Sequence, residues 1–260
     1  MDKGTLLNRA ASSAEERVLL ARVLDKYEQM ERRNIPTATG FLSEGEQAAA
    51  GRLLSAAGIH AGYVWNGGYE GAARKLLQFL PDWAEEDMGV IACLRASFRG
   101  DKPPTHRDCL GSLMGLGIVR EKVGDILISP ESCDVLVTAD ILPFLLQSWD
   151  SAGRVRLSAE EIPLSALVVP EQKVREIRDT VMTLRLDAVT ASGFSLSRTK
   201  AYELIAAGRV QLNHVDCLKP DRPVAAGDVV TARGYGKFEL AEVGGLSRKG
   251  RTAIVIKRYL

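Results

Sequence analysis

A short basic segment near the C-terminus combines residue types that bind phosphate. Ser197 is placed to open a helix, and Arg198 and Lys200 follow it directly. The first N–H groups of a helix have no partner inside it and the helix dipole favours anions, so an anionic partner explains positive charge at this opening. Arg209 begins a strand after the helix, and Arg233 ends another. The segment therefore predicts a surface that binds nucleic-acid phosphates.

The elements that must position these residues form one small α+β unit. The spacing predicts a helix over 183–190 and a second helix from Ser197 to just before Gly208. Strands are expected after them at 209–213, 229–233, 238–243 and 253–257. The charged segment 171–181 is interpreted as a linker or helix that leads into this unit.

The order of these features resembles the S4 domain, a small RNA-binding fold. The match consists of Arg-Leu-Asp at 185–187, Ser-Arg-Thr-Lys-Ala at 197–201, Gly-Arg-Val at 208–210, Asn213 and Gly-Asp at 227–228. The resemblance implies binding of structured RNA through basic residues at helix ends and strand edges. The implied contacts are Arg185, Ser197, Arg198, Lys200, Arg209 and Asn213, and the loop around Tyr235 adds Arg233 and Lys237.

The alternative hypothesis is that the same segment belongs to an enzyme. Arg185-Leu186-Asp187 also resembles the motif of pseudouridine synthases, whose Asp is the nucleophile. In those enzymes a long catalytic region follows the motif and the S4 module usually precedes it, whereas only 73 residues follow Asp187. Asp187 is therefore expected to pair locally on the first helix. An RNA-modifying enzyme that uses the S4 domain for delivery stays open, and a protein-interaction module is a third hypothesis.

The middle of the chain predicts a second folded domain. Apolar segments alternate with a helix that Thr105 caps and a helix that begins near Pro143. The predicted order is β-α-β-β-α-β, with the last strand at 154–157, which is the split βαβ pattern of ferredoxin-like folds. The first 82 residues are expected to be mostly helical, with helices after Ser13 and Ser43, a strand over 59–65 and a helix over 72–80.

The middle region and the S4 pattern together resemble the YlmH family of bacterial S4-domain RNA-binding proteins. The shared motifs are His-Arg-Asp at 106–108, Leu-Gly-Ser-Leu-Met-Gly at 110–115, Arg-Glu-Lys at 120–122 and Arg-Gly-Tyr-Gly-Lys-Phe at 233–238. The family is associated with the large ribosomal subunit and with quality control of stalled subunits that hold a peptidyl-tRNA. The resemblance implies further RNA contacts at His106, Arg107, Arg120 and Lys122. A related branch of the family is named for photosystem II, and these motifs do not distinguish this chain from that branch.

Composition narrows the class of protein. The chain has 260 residues, 46% of them hydrophobic and 26% charged, which is typical of a soluble globular protein of two or three domains. No run approaches the roughly 18 apolar residues of a membrane span. Residues 181–260 carry 13 Lys and Arg against 7 Asp and Glu, whereas the rest carries 21 against 26. The basic C-terminal part favours a nucleic-acid partner.

The sequence thus predicts an α+β protein. It comprises an N-terminal α/β region (1–82), a ferredoxin-like middle domain (83–170), a linker (171–181) and a C-terminal S4 (αL-type) domain (182–260). The four cysteines form no Cys-x-x-Cys pair, so no metal or cofactor is expected. We expect a cytoplasmic, monomeric, non-enzymatic protein without a membrane partner. Its expected partners are ribosomal RNA of the large subunit and peptidyl-tRNA.

Overall fold

The chain folds into two compact units that both mix helices and strands. The computed structural model describes residues 2–85, 88–99, 102–171, 173–247 and 249–259. One unit is Met1–Pro170 and the other is Glu171–Leu260. The α+β class is confirmed. Within the described ranges, no helix is both long enough and apolar enough to cross a membrane.

The first part of the N-terminal unit packs three helices against a small antiparallel sheet of order β1-β3-β2. Its elements are α1 (Lys3–Ala10), α2 (Ala14–Arg33), β1 (Thr37–Ala38), α3 (Glu44–Ala57), β2 (Tyr63–Asn66) and β3 (Leu76–Phe79). Ser13 Oγ accepts the Glu16 N–H at 3.1 Å, and Ser43 forms a complete capping box with Glu46. Both predicted helix starts are therefore confirmed.

The helix predicted over 72–80 is wrong, because β3 occupies this segment. All four residues of β3 are buried. Leu77 and Phe79 pack in the helical core, whereas Leu76 packs in a second core with Leu136. A strand buried on both faces is continuously apolar, and periodicity does not distinguish such a run from a short buried helix.

The middle part of this unit has the predicted β-α-β-β-α-β order. Its elements are β4 (Ile91–Ser97), α4 (His106–Gly115), β5 (Val123–Ile128), β6 (Ser132–Thr138), α5 (Leu142–Ser148), β7 (Ser151–Ala152), β8 (Val155–Arg156) and β9 (Ser158–Ile162). The main sheet is antiparallel with order β5-β6-β4-β9, so β6 lies between the two strands that α4 connects, the split βαβ arrangement. Residues of α4 and α5 share one core with this sheet, including Cys109, Leu113 and Leu145.

The strand predicted at 154–157 is displaced along the chain. Val155 pairs with Ala152 in the β7–β8 hairpin, and the Leu157 N–H donates to Asp150 O at 2.8 Å. The sheet strand is β9, in which only Ala159 and Ile162 are partly covered. Because β9 is an edge strand with mostly polar residues, it lacks the apolar alternation that predicts a strand.

The two parts of the N-terminal unit share a core. Phe41 and Leu76 from the first part are buried together with Ile91 and Leu136 of the middle sheet. Gly124 allows this approach, because a Cβ there would lie 2.7 Å from the Phe41 ring. The regions predicted as 1–82 and 83–170 therefore belong to the same compact unit.

The C-terminal unit packs two helices on one face of a six-stranded antiparallel sheet. Its elements are β10 (Val174–Val181), α6 (Leu186–Phe194), α7 (Arg198–Ala206), β11 (Val210–Leu212), β12 (Val215–Asp216), β13 (Val229–Ala232), β14 (Gly236–Leu246) and β15 (Thr252–Tyr259). The sheet order is β10-β15-β14-β13-β11-β12. Phe238 is fully buried beneath the helices, and Gly193 of α6 fits against it because a Cβ would lie 2.3 Å from the ring.

The segment predicted as a linker or helix, 171–181, contains strand β10 instead. All eight residues of β10 pair with β15, from Val174 opposite Tyr259 to Val181 opposite Thr252. Only Val181 is fully buried, because β10 lies at the edge of the sheet. The C-terminal unit therefore begins before residue 182, and β10 is part of its sheet.

Candidate nucleic-acid interface

A buried carboxylate holds two of the predicted arginines together at the helix starts. Asp187 of α6 is only 3% exposed. Arg185 donates from Nε and Nη2 to the two Asp187 oxygens at 3.2 and 3.1 Å. Arg198 donates from Nε and Nη2 to Asp187 Oδ2, each at 3.3 Å. We call these three residues the arginine brace.

Two opposing effects set the pKa of Asp187. Burial raises the pKa, but hydrogen bonds from Arg185 and Arg198 lower it by more, so it lies below the usual value. Asp187 is therefore ionised at neutral pH, and the arginine brace carries one net positive charge. The Arg185 and Arg198 side chains remain 38% and 55% exposed. Asp187 pairs locally, as predicted, while both cations face solvent.

The start of α7 lies next to the brace. Ser197 is the N-cap, and its Oγ accepts the Lys200 N–H at 3.1 Å. The other N–H groups of the first turn have no partner inside the helix. Lys200 Nζ lies 3.1 Å from Glu203 Oε2 in an exposed pair that contributes little and opens easily. The helix dipole and the nearby cations therefore both favour an anion at the start of α7.

A second basic pair lies at the other end of α7. Arg209 follows the helix through Gly208, and its Nη2 donates to Arg233 O at 3.3 Å. The Arg233 N–H donates to Arg209 O at 3.0 Å. Both arginines are exposed beside a pocket of about 230 Å³. Because nine helical residues span about 13 Å, the predicted contacts form two groups.

Asn213 and Lys237 lie apart from both groups. The Asn213 backbone is left-handed, with φ of 51°, and its Nδ2 donates to Asp228 Oδ1 at 2.8 Å. Its amide therefore holds a turn. Lys237 Nζ lies 5.2 Å from the centre of the Tyr259 ring. Phe238 points into the core, so Lys237 faces the side of the sheet away from the helices.

Arg120, a predicted contact in the middle region, is turned inward. Its Nη1 donates to Val123 O, and to Gly124 O at 3.3 Å. Burial, and then the charge of Arg74, lower the pKa of Arg120 to about 10. This guanidinium therefore stabilises the turn before β5.

The other three predicted contacts of the middle region are more accessible. His106 and Arg107 are exposed in the first turn of α4. Partial burial of the ring, and then the charge of Arg120, lower the pKa of His106 below 6.5, so it is neutral at pH 7. Lys122 Nζ forms a 2.6 Å ion pair with Asp140. Arg107 therefore offers the most accessible positive charge of the four.

The sequence prediction missed Tyr202 on α7. Tyr202 is 52% exposed and follows Arg198 by one helical turn. An exposed aromatic ring beside an arginine is suited to stacking on an unpaired base. The available signal was its spacing, since Ala201, Leu204 and Ile205 face the core and leave Tyr202 on the outer side.

Family models of known proteins match the middle region and the C-terminal unit of this chain. The family model "Putative RNA-binding domain in YlmH" matches residues 103–166, and the S4 domain model matches residues 184–230. The chain is 32% identical to "Ribosome-associated protein quality control protein P2" of Bacillus subtilis (strain 168) over 247 residues, 94% of this chain and 95% of that protein. The solved structure "Cell division protein ylmH from Streptococcus pneumoniae" has a similar fold, with a TM-score of 0.50, 20% identity, and coverage of 60% of this chain and 95% of that one. The identity and coverage shared with the Bacillus subtilis protein establish that this chain belongs to the YlmH family of S4-domain proteins.

Proposed function

We propose that this protein binds structured ribosomal RNA on the large ribosomal subunit and acts without catalysis in the quality control of stalled subunits. The observation that carries the proposal is the arginine brace beside the start of α7. Membership of a family that includes a ribosome-associated quality control protein supports the ribosomal setting. The protein would act as a cytoplasmic monomer.

Binding would be electrostatic and geometric. Arg185 and Arg198 are held by a buried carboxylate, so they lose less side-chain freedom than free arginines when a phosphate binds. Lys200, Arg209 and Arg233 would add phosphate contacts, and Tyr202 would stack on an unpaired base. Each neutralised phosphate releases counterions, so affinity should fall steeply with salt.

The stalled subunit would supply a second RNA partner. A peptidyl-tRNA retained there presents a folded phosphate backbone of the same chemistry. The middle domain, which matches a model named for RNA binding, would contact this or neighbouring RNA. The C-terminal unit would then bind ribosomal RNA while the middle domain adds a second contact.

The structure does not favour catalysis by Asp187. Its carboxylate is 3% exposed and bonded to two guanidinium groups, whereas a nucleophile must reach the substrate base. Mass mapping of RNA modifications after deletion of the gene tests the enzymatic alternative. A uridine modification that disappears on deletion and returns on complementation would contradict the proposal.

Sucrose-gradient sedimentation tests the ribosomal setting. The tagged full-length protein is followed in lysate at low and high salt, with split subunits and with translation stalled. We expect salt-sensitive migration with the large subunit that increases under stalling. Protein that stays at the top of every gradient would contradict the proposal.

A further inference from the structure

The open face of a ferredoxin-like sheet is the usual place for RNA in one common module, where exposed aromatics on the strands stack with bases. That face is covered in the middle domain. Ile91 and Leu136 are buried there with Phe41 and Leu76. Leu164 packs over the same cluster. Bases therefore have no access to this part of the sheet.

The buried Asp134 closes the covered face further along the same strands. Asp134 is 2% exposed and accepts hydrogen bonds from Arg95 Nε at 2.7 Å and Nη2 at 2.6 Å. The Val168 N–H reaches the same carboxylate at 3.3 Å, and Arg95 Nη2 also donates to Ala166 O at 2.9 Å. The segment after β9 is thus fastened across the sheet, and an RNA contact must lie elsewhere.

A wide polar groove lies where β4, β6 and β9 meet at the end of the sheet. Its volume is about 1030 Å³. We call it the sheet-end groove and define it by Arg95, Ser97, Arg99, Ser132, Arg156 and Ser158. Its described lining residues include three arginines and one acid, Glu131, and two of these arginines form ion pairs, Arg95 with Asp134 and Arg156 with Asp150.

Three hydroxyl groups cross the floor of the groove. Ser97 of β4 lies opposite Ser132 of β6 and, on its other side, opposite Ser158 of β9. Adjacent strands are about 4.8 Å apart, so the hydroxyls form a row about 10 Å long. Ser97 and Ser158 are exposed, whereas Ser132 is partly buried and its Oγ lies 2.9 Å from Ser129 Oγ. Serine hydroxyls donate hydrogen bonds to phosphate oxygens without regard to sequence.

Two arginines supply exposed positive charge at the walls. Arg99 is exposed, and the Arg156 side chain is 85% exposed with Nη1 3.2 Å from Asp150 Oδ2. An ion pair this exposed is weak, so Arg156 is available to a phosphate. Arg95, in contrast, is fixed by Asp134 and forms part of the floor.

Exposed arginines extend from the groove toward α4. The β7–β8 turn lies beside the first turn of α4, since a Cβ at Gly153 would be 3.1 Å from the Asp108 carboxyl. Arg154 in that turn and Arg107 in α4 are both exposed. This continuity favours an extended polyanion over a small ligand.

We propose that the sheet-end groove is the RNA contact of the middle domain and holds the phosphate backbone of a folded RNA strand. This inference rests on the proposed function and adds the site that the middle domain uses. Arg99 and Arg156 neutralise phosphates, and the serine row fixes their position. We expect no base stacking there, because the groove offers charge and hydroxyl groups but no exposed aromatic ring among its described lining residues.

The test compares full-length variants that lose equal charge. Arg99→Ala with Arg156→Ala removes the groove cations, and Arg9→Ala with Arg32→Ala removes two exposed cations on α1 and α2. Affinity is titrated with intact large subunits and with deproteinised large-subunit RNA at several salt concentrations. We expect the groove pair to weaken binding to both probes about tenfold and to flatten the salt slope by about two, with the control pair unchanged. The variant Ser158→Glu should also weaken binding to both probes.

The outcomes separate this inference from the proposed function. A groove pair that binds like the control pair overturns the groove. Weakened binding to intact subunits but normal binding to deproteinised RNA also overturns it and indicates a ribosomal protein partner. If Lys200→Ala with Arg209→Ala weakens binding in the same assay while the groove pair does not, the proposed function stands without the groove. If the wild type binds neither probe, both proposals fail.

Discussion

At the scale of single residues, Asp187 has a role that its charge alone does not predict. A negative charge near a phosphate site should oppose RNA binding. Because Asp187 is buried and bonded to Arg185 and Arg198, it instead fixes the two groups that would bind phosphate. The aspartate of the Arg-Leu-Asp motif therefore positions two cations.

The substitution Asp187→Asn distinguishes the effect of the Asp187 charge on RNA binding from its effect on the positions of Arg185 and Arg198. The substitution adds one net positive charge, so simple attraction predicts tighter RNA binding. The arginine brace predicts weaker binding, by about fivefold, which is the scale of coupling within a salt-bridge network. The free energy of unfolding should fall by about 1–3 kcal/mol because two charge-assisted interactions are lost. Titration with large subunits measures the affinity, and urea unfolding at pH 7 measures the free energy of unfolding.

The pH dependence of the stability difference provides the control. The folded-state pKa of Asp187 is lowered, so its contribution is present above the ordinary carboxyl pKa of about 4 and is lost as the pH falls through the lowered value. The stability difference between wild type and Asp187→Asn should therefore be constant from pH 5 to pH 8 and shrink in stronger acid. Tighter binding by the variant would contradict the brace.

At the scale of elements, the signals that the sequence carries are caps and buried faces. Ser197 and Thr105 begin helices where predicted, because a cap is a local hydrogen bond. Strand β10 was not predictable in this way. Its pairing with β15 joins residues far apart in the chain, and only Ile177 and Val181 contact the core. The same holds for β9, whose mostly exposed Ser-Ala-Glu-Glu-Ile sequence resembles a loop.

The candidate site was predictable to a similar extent. Arg185, Arg198 and Lys200 follow from residue type and spacing. The structure places Arg198 and Lys200 at the start of α7, and Asp187 joins Arg185, at the start of α6, to Arg198. Arg120 turns inward to the carbonyl groups of Val123 and Gly124, a conformation of the turn that the residue type alone does not specify. The sheet-end groove needs three strands side by side, so no local pattern predicts it.

Ile177→Asp tests whether β10 is structural. Ile177 lies opposite Ile256 and packs against the core of the C-terminal unit. A charge at this partly buried position should lower the free energy of unfolding by about 1–3 kcal/mol and reduce hydrogen-exchange protection in β15. Arg178→Ala, on the exposed side of the strand, is the matched control and should change stability by less than about 0.5 kcal/mol. Equal protection in all three proteins would mean that 171–181 behaves as a linker.

At the scale of the whole molecule, the two units differ in the way they present charge. The C-terminal unit combines a net basic composition with cations at both ends of α7. The N-terminal unit is acidic overall but concentrates arginines along the sheet-end groove. A protein with a formal net charge of +1 therefore offers two local basic surfaces. Affinity should depend on these surfaces and not on total charge.

The arginine brace couples RNA binding to stability in some variants and not in others. Arg198→Ala would leave a buried carboxylate with one partner, so it tests stability as well as binding. Lys200→Ala with Arg209→Ala leaves Asp187 and both of its arginines in place. Arg178→Ala with Lys257→Ala removes equal charge from the other face of the same sheet and is the matched control.

The most direct test is the slope of log affinity against log salt concentration for purified large ribosomal subunits. We predict that Lys200→Ala with Arg209→Ala binds more weakly and has a slope smaller by about two, with the control pair equal to wild type. Unchanged thermal unfolding would show that the fold is intact. Equal affinities and slopes for all three proteins would contradict the claim that the S4 surface binds RNA.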